Sequence, residues 1–219
     1  MRGYRAKKLT TNIDNMKTEE KLSKFTEFEC KYRTELDVLP IFKKIASKIP
    51  DQQSYLYVKG PDIFYVKDEG SFGRYRHCET PDENGNLFAQ WTIKEKRQGA
   101  KNSINRFESN WIVTGTPPEE IHAGAERMGF NKVGKIHKTC YIYTFADATI
   151  VFYTVVSEGS DKEAHFIEIE VDEQTIDQLT EKQAWEVVEK YEAILLDTGI
   201  NARKRTKLSL FDMYRTDSK

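Results

Sequence analysis

Along Phe25-Thr26-Glu27-Phe28-Glu29-Cys30-Lys31-Tyr32-Arg33, charged and bulky side chains alternate strictly. Such a period of two predicts a β-strand, with Glu27, Glu29, Lys31 and Arg33 on one face and Phe28, Cys30 and Tyr32 on the other. Side chains on one face of a strand stand about 7 Å apart, so two carboxylates and an ammonium form a fixed row. A solvated edge strand carries such rows too, and for this stretch alone that plainer reading prevails. The habit recurs, however. Glu168 and Glu170 share a face in His165–Asp172, opposite Ile167, Ile169 and Val171. Arg74 and Arg76 share a face with Phe72 and Cys78, Lys94 and Lys96 share one with Gln90 and Thr92, and Arg106, Glu108 and Asn110 share another. Grouped carboxylates repel and call for a cation; hard divalent ions such as Mg²⁺ take oxygen ligands. Grouped Arg and Lys call for an anion, and phosphate is the best geometric match. A site holding both sets suits a metal-bound polyphosphate.

The rest of the composition bounds this reading. The 219 residues suit one large β-rich domain or two small ones. Only 38% are hydrophobic and 32% are charged, so the core is modest or charge sits somewhere other than the outer surface. A net charge of −1 provides no global basic field for general nucleic-acid binding. No apolar run approaches the roughly 20 residues of a membrane span, and Met1–Lys24 is basic and polar, unlike a secretory signal. Cys30, Cys78 and Cys140 are odd in number and far apart, which fits a reducing cytoplasm without a disulfide framework.

Residues 1–24 are expected as a mobile arm with a short helix near Thr18–Ser23, residues 25–214 as the main domain, and 215–219 as a tail. A helix opens at Thr34-Glu35-Leu36-Asp37, with Leu36, Leu39, Ile41, Phe42, Ile45 and Ile49 as its apolar stripe, Pro40 in the first turn and Pro50 at the end. Two short β runs, Ser54–Lys59 and Ile63–Lys67, precede Phe72–Cys78 and Leu87–Lys96; Asp68-Glu69-Gly70 and Asp82-Glu83-Asn84-Gly85 are turns, and Gly99–Asn102 is a loop. Thr116 is the expected N-cap of the next helix, with Pro117 at its first position, Glu119 completing a capping box, and Ile121, Ala125 and Met128 inward. Lys132–Thr144 and Thr149–Val156 form a pair joined at Ala146-Asp147-Ala148. Thr180 to Gln183 is a second capping box, opening a helix with Ala184, Val187, Val188, Tyr191, Ile194 and Leu195 inward and Gly199 as its stop.

About eight strands thus pair an apolar face with a charged one. A sandwich would join the apolar faces and expose the charges; a closed barrel would turn the apolar faces outward beneath the helices and the charges into its lumen. Pattern alone leaves the two even, and the chemistry of the charged set favours the barrel, with the helices outside it in an α+β fold.

At these residues the chain resembles the CYTH superfamily, the triphosphate tunnel metalloenzymes, which include inorganic triphosphatases, thiamine triphosphatases and class IV adenylyl cyclases, with fungal-type RNA triphosphatases as relatives. The resemblance is carried by Glu27-Phe28-Glu29-Cys30-Lys31, Asp62-Ile63-Phe64-Tyr65, Gly73-Arg74-Tyr75-Arg76, Trp91-Thr92-Ile93-Lys94, Arg106-Phe107-Glu108, Phe166-Ile167-Glu168-Ile169-Glu170 and Ser209-Leu210-Phe211-Asp212. It implies an eight-stranded antiparallel β-barrel, a tunnel that binds triphosphate, in which Glu27, Glu29, Glu168 and Glu170 hold Mg²⁺ or Mn²⁺, with Glu108 as a fifth carboxylate. It implies that Lys31, Arg74, Arg76, Lys94 and Arg106 clamp phosphate oxygens, with Lys96 and Lys138 in second rank. Glu27, Glu170 and Lys31 carry the catalytic expectation. The chain departs from the family where Tyr153 stands for an expected aspartate and Asn110 for a carboxylate.

The activity expected is metal-dependent hydrolysis of a triphosphate or nucleoside triphosphate. Cyclisation of ATP is one alternative, and a non-catalytic module that sequesters nucleotide or polyphosphate is another. The expected partner is a small-molecule triphosphate or nucleotide, with no membrane and a monomer or homodimer. The run Arg203-Lys204-Arg205 is usually a solvated tail, but would guide an RNA 5′ end if the substrate were RNA. His77, His122, His137 and His165 are scattered and are expected in surface or core roles, with Cys30 and Cys78 as small packed residues.

Overall fold

The computed structural model describes residues 23–46, 54–68, 71–81, 85, 87–96, 106–196, 205–206 and 208–215. Among the described residues four helices accompany one antiparallel sheet of ten strands, an α+β fold. The elements run β1 (Ser23–Thr26), β2 (Glu29–Thr34), α1 (Val38–Ala46), β3 (Ser54–Asp68), β4 (Ser71–Pro81), β5 (Leu87–Lys96), β6 (Arg106–Ile112), α2 (Pro118–Arg127), β7 (Asn131–Thr144), β8 (Ala148–Ser157), β9 (Glu163–Val171), α3 (Glu181–Leu196), β10 (Arg205–Thr206) and α4 (Leu210–Tyr214), with a 3-10 turn at Ile176–Gln178.

The strand order is β1-β6-β5-β4-β3-β7-β8-β9-β2-β10. The strand that opens the sequence is therefore divided. β1 pairs with β6 at one end of the order, and β2 pairs with β9 near the other. Only Glu27 and Phe28 separate the halves, and the Phe28 carbonyl accepts a hydrogen bond from Val171 N at 3.0 Å. That division, together with the two-residue ribbon β10, raises the count from the expected eight to ten.

The expected pair of short runs across residues 54–67 is a single strand, β3, of 15 residues. Gly60-Pro61 reads as a break in sequence, yet both residues stay in register with β7. A Cβ on Gly60 would lie 2.0 Å from the His77 carbonyl oxygen, so glycine is what lets β4 approach closely enough for the strand to continue. α2 also differs from expectation. Its N-cap is Pro117, not Thr116, and no side chain caps it. Pro118 at the first helical position has no N–H to satisfy, so the missing cap costs less there. The α3 box is as expected, with Gln183 N donating to Thr180 Oγ1 and Thr180 N to Gln183 Oε1.

The outer faces of the strands are apolar and lie under the helices. Ile41, Phe42 and Ile45 of α1 and Val188, Tyr191 and Leu195 of α3 join Phe28, Cys30, Tyr32, Ile150, Phe152, Ile167 and Ile169 in one cluster. Ala125 of α2 packs with Tyr65, Tyr75, Trp91 and Phe130. Each fully buried side chain of this size contributes about 1.5–3 kcal/mol. Leu36 and Met128, expected on apolar stripes, are exposed because each lies just outside its helix. Near the end of the expected main domain a full capping box, Ser209 Oγ with Asp212, starts α4, whose Leu210 and Phe211 are buried. Ser23, expected at the end of a short helix, begins β1. The remainder of that helix, Ile49, Pro50, Glu69-Gly70, Asp82 to Asn84, the 99–102 loop, Gly199 and Arg203-Lys204 lie outside the described residues. Among the described residues no helix is long and apolar enough to cross a membrane.

Candidate functional site

The inward strand faces surround a cavity of about 530 Å³. Glu27, Glu29, Lys31, Arg74, Arg76, Lys94, Glu108, Lys138, Glu168 and Glu170 all line it. Lys96 and Arg106 are paired in register on β5 and β6, but their side chains lie outside the described ones. The strand periodicity explains the convergence: Glu29 and Lys31 of β2 face Glu170 and Glu168 of β9, and Lys94 of β5 faces Glu108 of β6. Arg33, on the same alternation as Glu29 and Lys31, is exposed instead. None of the four histidines lines the cavity. His137 contacts Glu79 on the outside, and His165 contacts Thr154.

Two buried lysines each bridge two carboxylates. Lys31 Nζ lies 2.9 Å from Glu29 and 2.8 Å from Glu168. Lys94 Nζ contacts Glu27 and stands 2.6 Å from Glu108 Oε2. Burial disfavours both ammonium ions, but the facing carboxylates outweigh it and raise both pKa values. Burial likewise works against ionised Glu108, yet Lys94 and Arg74 prevail and hold it at about 2. Burial opposes ionised Glu168, and Lys31 and Lys138 hold it at about 2.

The other carboxylates are not balanced. Burial, then Glu108 and Glu29, push Glu170 up to about 8. Burial also raises Glu27 well above the usual range: Lys94 opposes this but is shared with Glu108, while Glu29, Glu108 and Glu170 add repulsion. Glu29 and Glu170 stand directly opposite on paired strands, an arrangement that destabilises a sheet unless a cation intervenes.

Asp62, of the Asp62-Ile63-Phe64-Tyr65 motif, also lines the cavity, which its motif alone does not reveal. It is 1% exposed and takes both Nε and Nη2 of Arg76, at 2.7 and 2.8 Å. Burial works against its carboxylate, but Arg76 and then Lys138 and Arg74 hold it below the usual range. Arg76 is thus braced by a fork–fork pair and is not a free cation. Arg74 donates from Nη2 to Thr92 Oγ1 at 3.2 Å, while its buried Nε has no hydrogen-bond partner among the described residues.

Tyr153, at the position of the expected aspartate, is fully buried and donates its hydroxyl to Glu168 Oε1 at 2.6 Å. The Lys138 ammonium lies 4.0 Å from the centre of its ring. Asn110 Nδ2 donates to Glu108 Oε1 at 2.9 Å, and Thr92 Oγ1 donates to Asn110 Oδ1 at 2.6 Å. Both departures from the family pattern therefore hold carboxylates in place. Cys78 and Cys140 also line the cavity; Cys78 follows from its alternation with Arg74 and Arg76, but Cys140 carries no signal beyond sharing the parity of Lys138.

Among the described residues no three acidic, His or Cys side chains stand close enough together to hold a metal ion as placed. The donor set nonetheless fits one. Five carboxylates, four of them buried, share one cavity, all oxygen donors, and Glu27 and Glu170 are pushed above the usual range by burial and by their carboxylate neighbours.

No family model matches the chain, and no curated protein does. Solved structures do. The PH1819 protein of Pyrococcus horikoshii shares the fold with a TM-score of 0.62 and 23% identity over 85% of this chain and 97% of that one. The Hippeastrum protein HpAC1, in which triphosphatase activity is dominant, aligns at 0.56 and 15% over 84% and 93%. The Mimivirus capping-enzyme triphosphatase aligns at 0.51 and 12% over 78% and 90%. The chain therefore shares its fold with these proteins. A chain of the Schizosaccharomyces pombe Mediator head module has it too, at 0.53 and 12% over 78% and 95%, so fold alone does not decide activity.

Proposed function

We propose that this chain is a metal-dependent hydrolase of a triphosphate or nucleoside triphosphate bound in a closed β-tunnel. The observation that carries the reading is the meeting, in one buried cavity, of five carboxylates with Lys31, Lys94, Lys138, Arg74 and Arg76. So much buried charge is costly; a ligand carrying a metal ion and phosphates matches both signs. Closure of the tunnel is supported by the short Glu27-Phe28 connection between β1, on β6, and β2, on β9. The triphosphatase activity in the name of the Hippeastrum protein supports the reaction class.

In this reading Glu27, Glu29 and Glu170 hold Mg²⁺ or Mn²⁺, with Glu168 and Glu108 completing the carboxylate set. Bound there, the ion supplies charge neutralisation to the phosphoryl group in transfer. Arg74, with its unpartnered Nε, and Lys138 bind phosphate oxygens. Arg76, braced by Asp62, orients the neighbouring wall. Lys31 and Lys94 exchange part of their carboxylate contacts for phosphate oxygens when the substrate enters. A carboxylate beside the attacking water takes its proton, a role that falls to Glu170, with Glu27 as its neighbour. The water oxygen attacks the terminal phosphorus, the bond to the bridging oxygen breaks, and the electron pair leaves with the diphosphate. Arg205, the described member of the basic tail, is forked onto Glu192 of α3, which argues against that tail as an RNA guide.

Purified protein incubated with tripolyphosphate, ATP, thiamine triphosphate and 5′-triphosphate RNA, with Mg²⁺ or Mn²⁺, tests the reading. Orthophosphate release is expected. Cyclic nucleotide would overturn it in favour of the cyclase, and binding without turnover in favour of the sequestering module.

A further inference from the structure

Lys138 stands apart from the other cations of the cavity. Lys31 and Lys94 are each shared between two carboxylates, and Arg76 is forked onto Asp62. Lys138 is 6% exposed, yet its ammonium makes no hydrogen bond and no ion pair among the described residues. Its charge, after those of Arg76 and Lys31, acts on Asp62 and Glu168, so both carboxylates are near. It nonetheless rests on the face of the Tyr153 ring, 4.0 Å from the centre. A buried ammonium with carboxylates in reach ordinarily pairs with one of them.

Tyr153 accounts for the separation. In register it lies opposite Cys140 of β7 and Phe166 of β9. Lys138 and Glu168 are therefore its diagonal neighbours, one on each flanking strand, within reach of a long side chain. The ring is fixed in place: it is 0% exposed and lies nearly parallel to Phe166, at 5.4 Å and 18°. Its face attracts a cation, and its hydroxyl donates to Glu168 Oε1 at 2.6 Å. Lys31 Nζ meets the same oxygen at 2.8 Å, so the carboxylate is held from two sides.

Building on the hydrolase reading, we infer that Tyr153 is a positioning residue that keeps Lys138 and Glu168 from pairing. Its ring face holds the ammonium, its hydroxyl holds the carboxylate, and Lys138 is left to take a phosphate oxygen. An aspartate at this position would take the Lys138 ammonium itself. Lys31 and Lys94 must give up carboxylate contacts to bind phosphate, whereas Lys138 gives up only a contact with a ring.

The test is calorimetric titration with methylene-bridged tripolyphosphate, which is not hydrolysed, at saturating Mg²⁺. Lys138→Met is measured in three backgrounds: wild type, Tyr153→Phe and Tyr153→Leu. In wild type it is expected to weaken binding at least about tenfold. The same loss is expected in Tyr153→Phe, because the ring face remains and Lys31 still holds Glu168. In Tyr153→Leu the face is gone and Lys138 pairs with Glu168, so Lys138→Met changes affinity less than about threefold, a coupling that a merely structural role for Tyr153 would not produce. Tyr153→Met, whose unbranched side chain adapts to the space, takes the place of Tyr153→Leu if the latter does not fold. An equal effect of Lys138→Met in all three backgrounds overturns the inference. So does an effect already lost in Tyr153→Phe, or a wild type that does not bind the probe. Orthophosphate release from tripolyphosphate is followed separately: the expected binding pattern without release overturns the hydrolase reading alone.

Discussion

Replacing Asp62 by Asn, and Arg76 by Met, probes the pair that braces the basic wall. The contacts are 2.7 and 2.8 Å in a two-point geometry. At an effective dielectric of about 20 the Coulomb term at that separation is about 6 kcal/mol, most of it offset by desolvation. Removing one partner of a buried pair costs about 3–5 kcal/mol, because the other charge is left stranded. The two removals are not equal. The Asp62 side chain is 2% exposed and the Arg76 side chain 25%, so a stranded guanidinium recovers some hydration and a stranded carboxylate does not. Asp62→Asn is expected to cost about 3 kcal/mol and Arg76→Met about 4, partly relieved by the nearby Lys138. For a domain of this size 3 kcal/mol lowers Tm by about 6–12 °C. Urea denaturation at pH 7 measures both costs, and the double variant gives their coupling. The pH sign follows from the lowered Asp62 pKa: the pair's contribution is fully present above about pH 4, the unfolded value, and is lost as pH falls through the folded value. A cost below about 1 kcal/mol for either variant, or a larger cost for Asp62→Asn than for Arg76→Met, refutes the reasoning. The same loss bears on any use of Arg76→Ala as a phosphate-binding probe, which needs a stability measurement beside it.

Glu29→Gln and Glu170→Gln are each expected to abolish Mg²⁺-dependent orthophosphate release; Glu170→Gln is expected to leave the Tm of the metal-free protein undiminished, and Glu29→Gln to lower it, because it takes a carboxylate from buried Lys31. Because Glu170 is raised to about 8, the wild type is expected to lose stability between about pH 4.5 and 8 relative to Glu170→Gln; parallel Tm-versus-pH curves would rule that out. Tyr153→Phe removes the hydroxyl that Glu168 accepts and is expected to cost about 1 kcal/mol in urea unfolding; an unchanged midpoint would show that the bond contributes nothing. Gly134→Ala puts a Cβ 2.7 Å from the Tyr214 carbonyl oxygen, so it is expected to displace α4 at a cost of about 1–3 kcal/mol; unaltered near-ultraviolet dichroism and midpoint would contradict the packing of α4 on β7.

Alternation of period two assigned the charged residues to common faces before any partner strand was known, because a side chain's face in a strand depends only on parity. Hence Glu27, Glu29, Lys31, Arg74, Arg76, Lys94, Glu108, Glu168 and Glu170 were nameable from alternation and Lys138 from the family resemblance, and all line one cavity. Parity says nothing about which strand lies beside which. That Asp62 braces Arg76, that one ammonium serves both Glu27 and Glu108, and that Tyr153 holds Glu168 depend on the registers of β3 with β4, β5 with β6 and β8 with β9. Those registers arise from contacts distant in sequence. Local signals misled where a tertiary neighbour outweighed them. Gly60 looks like a break and is a close approach, and Thr116 looks like a cap while the helix starts on Pro118. The tail of the sequence has no periodicity that reveals its destination; Leu210 and Phe211 become the filled end of the cavity because Phe64 and Phe72 of two other strands offer them an apolar seat. The sequence by itself determined which residues share a strand face, since that is local geometry; Arg33 shares the face of Glu29 and Lys31 and is nonetheless exposed. Which of them are paired, which carry unbalanced charge, and which end of the cavity is filled were decided only when distant strands came together.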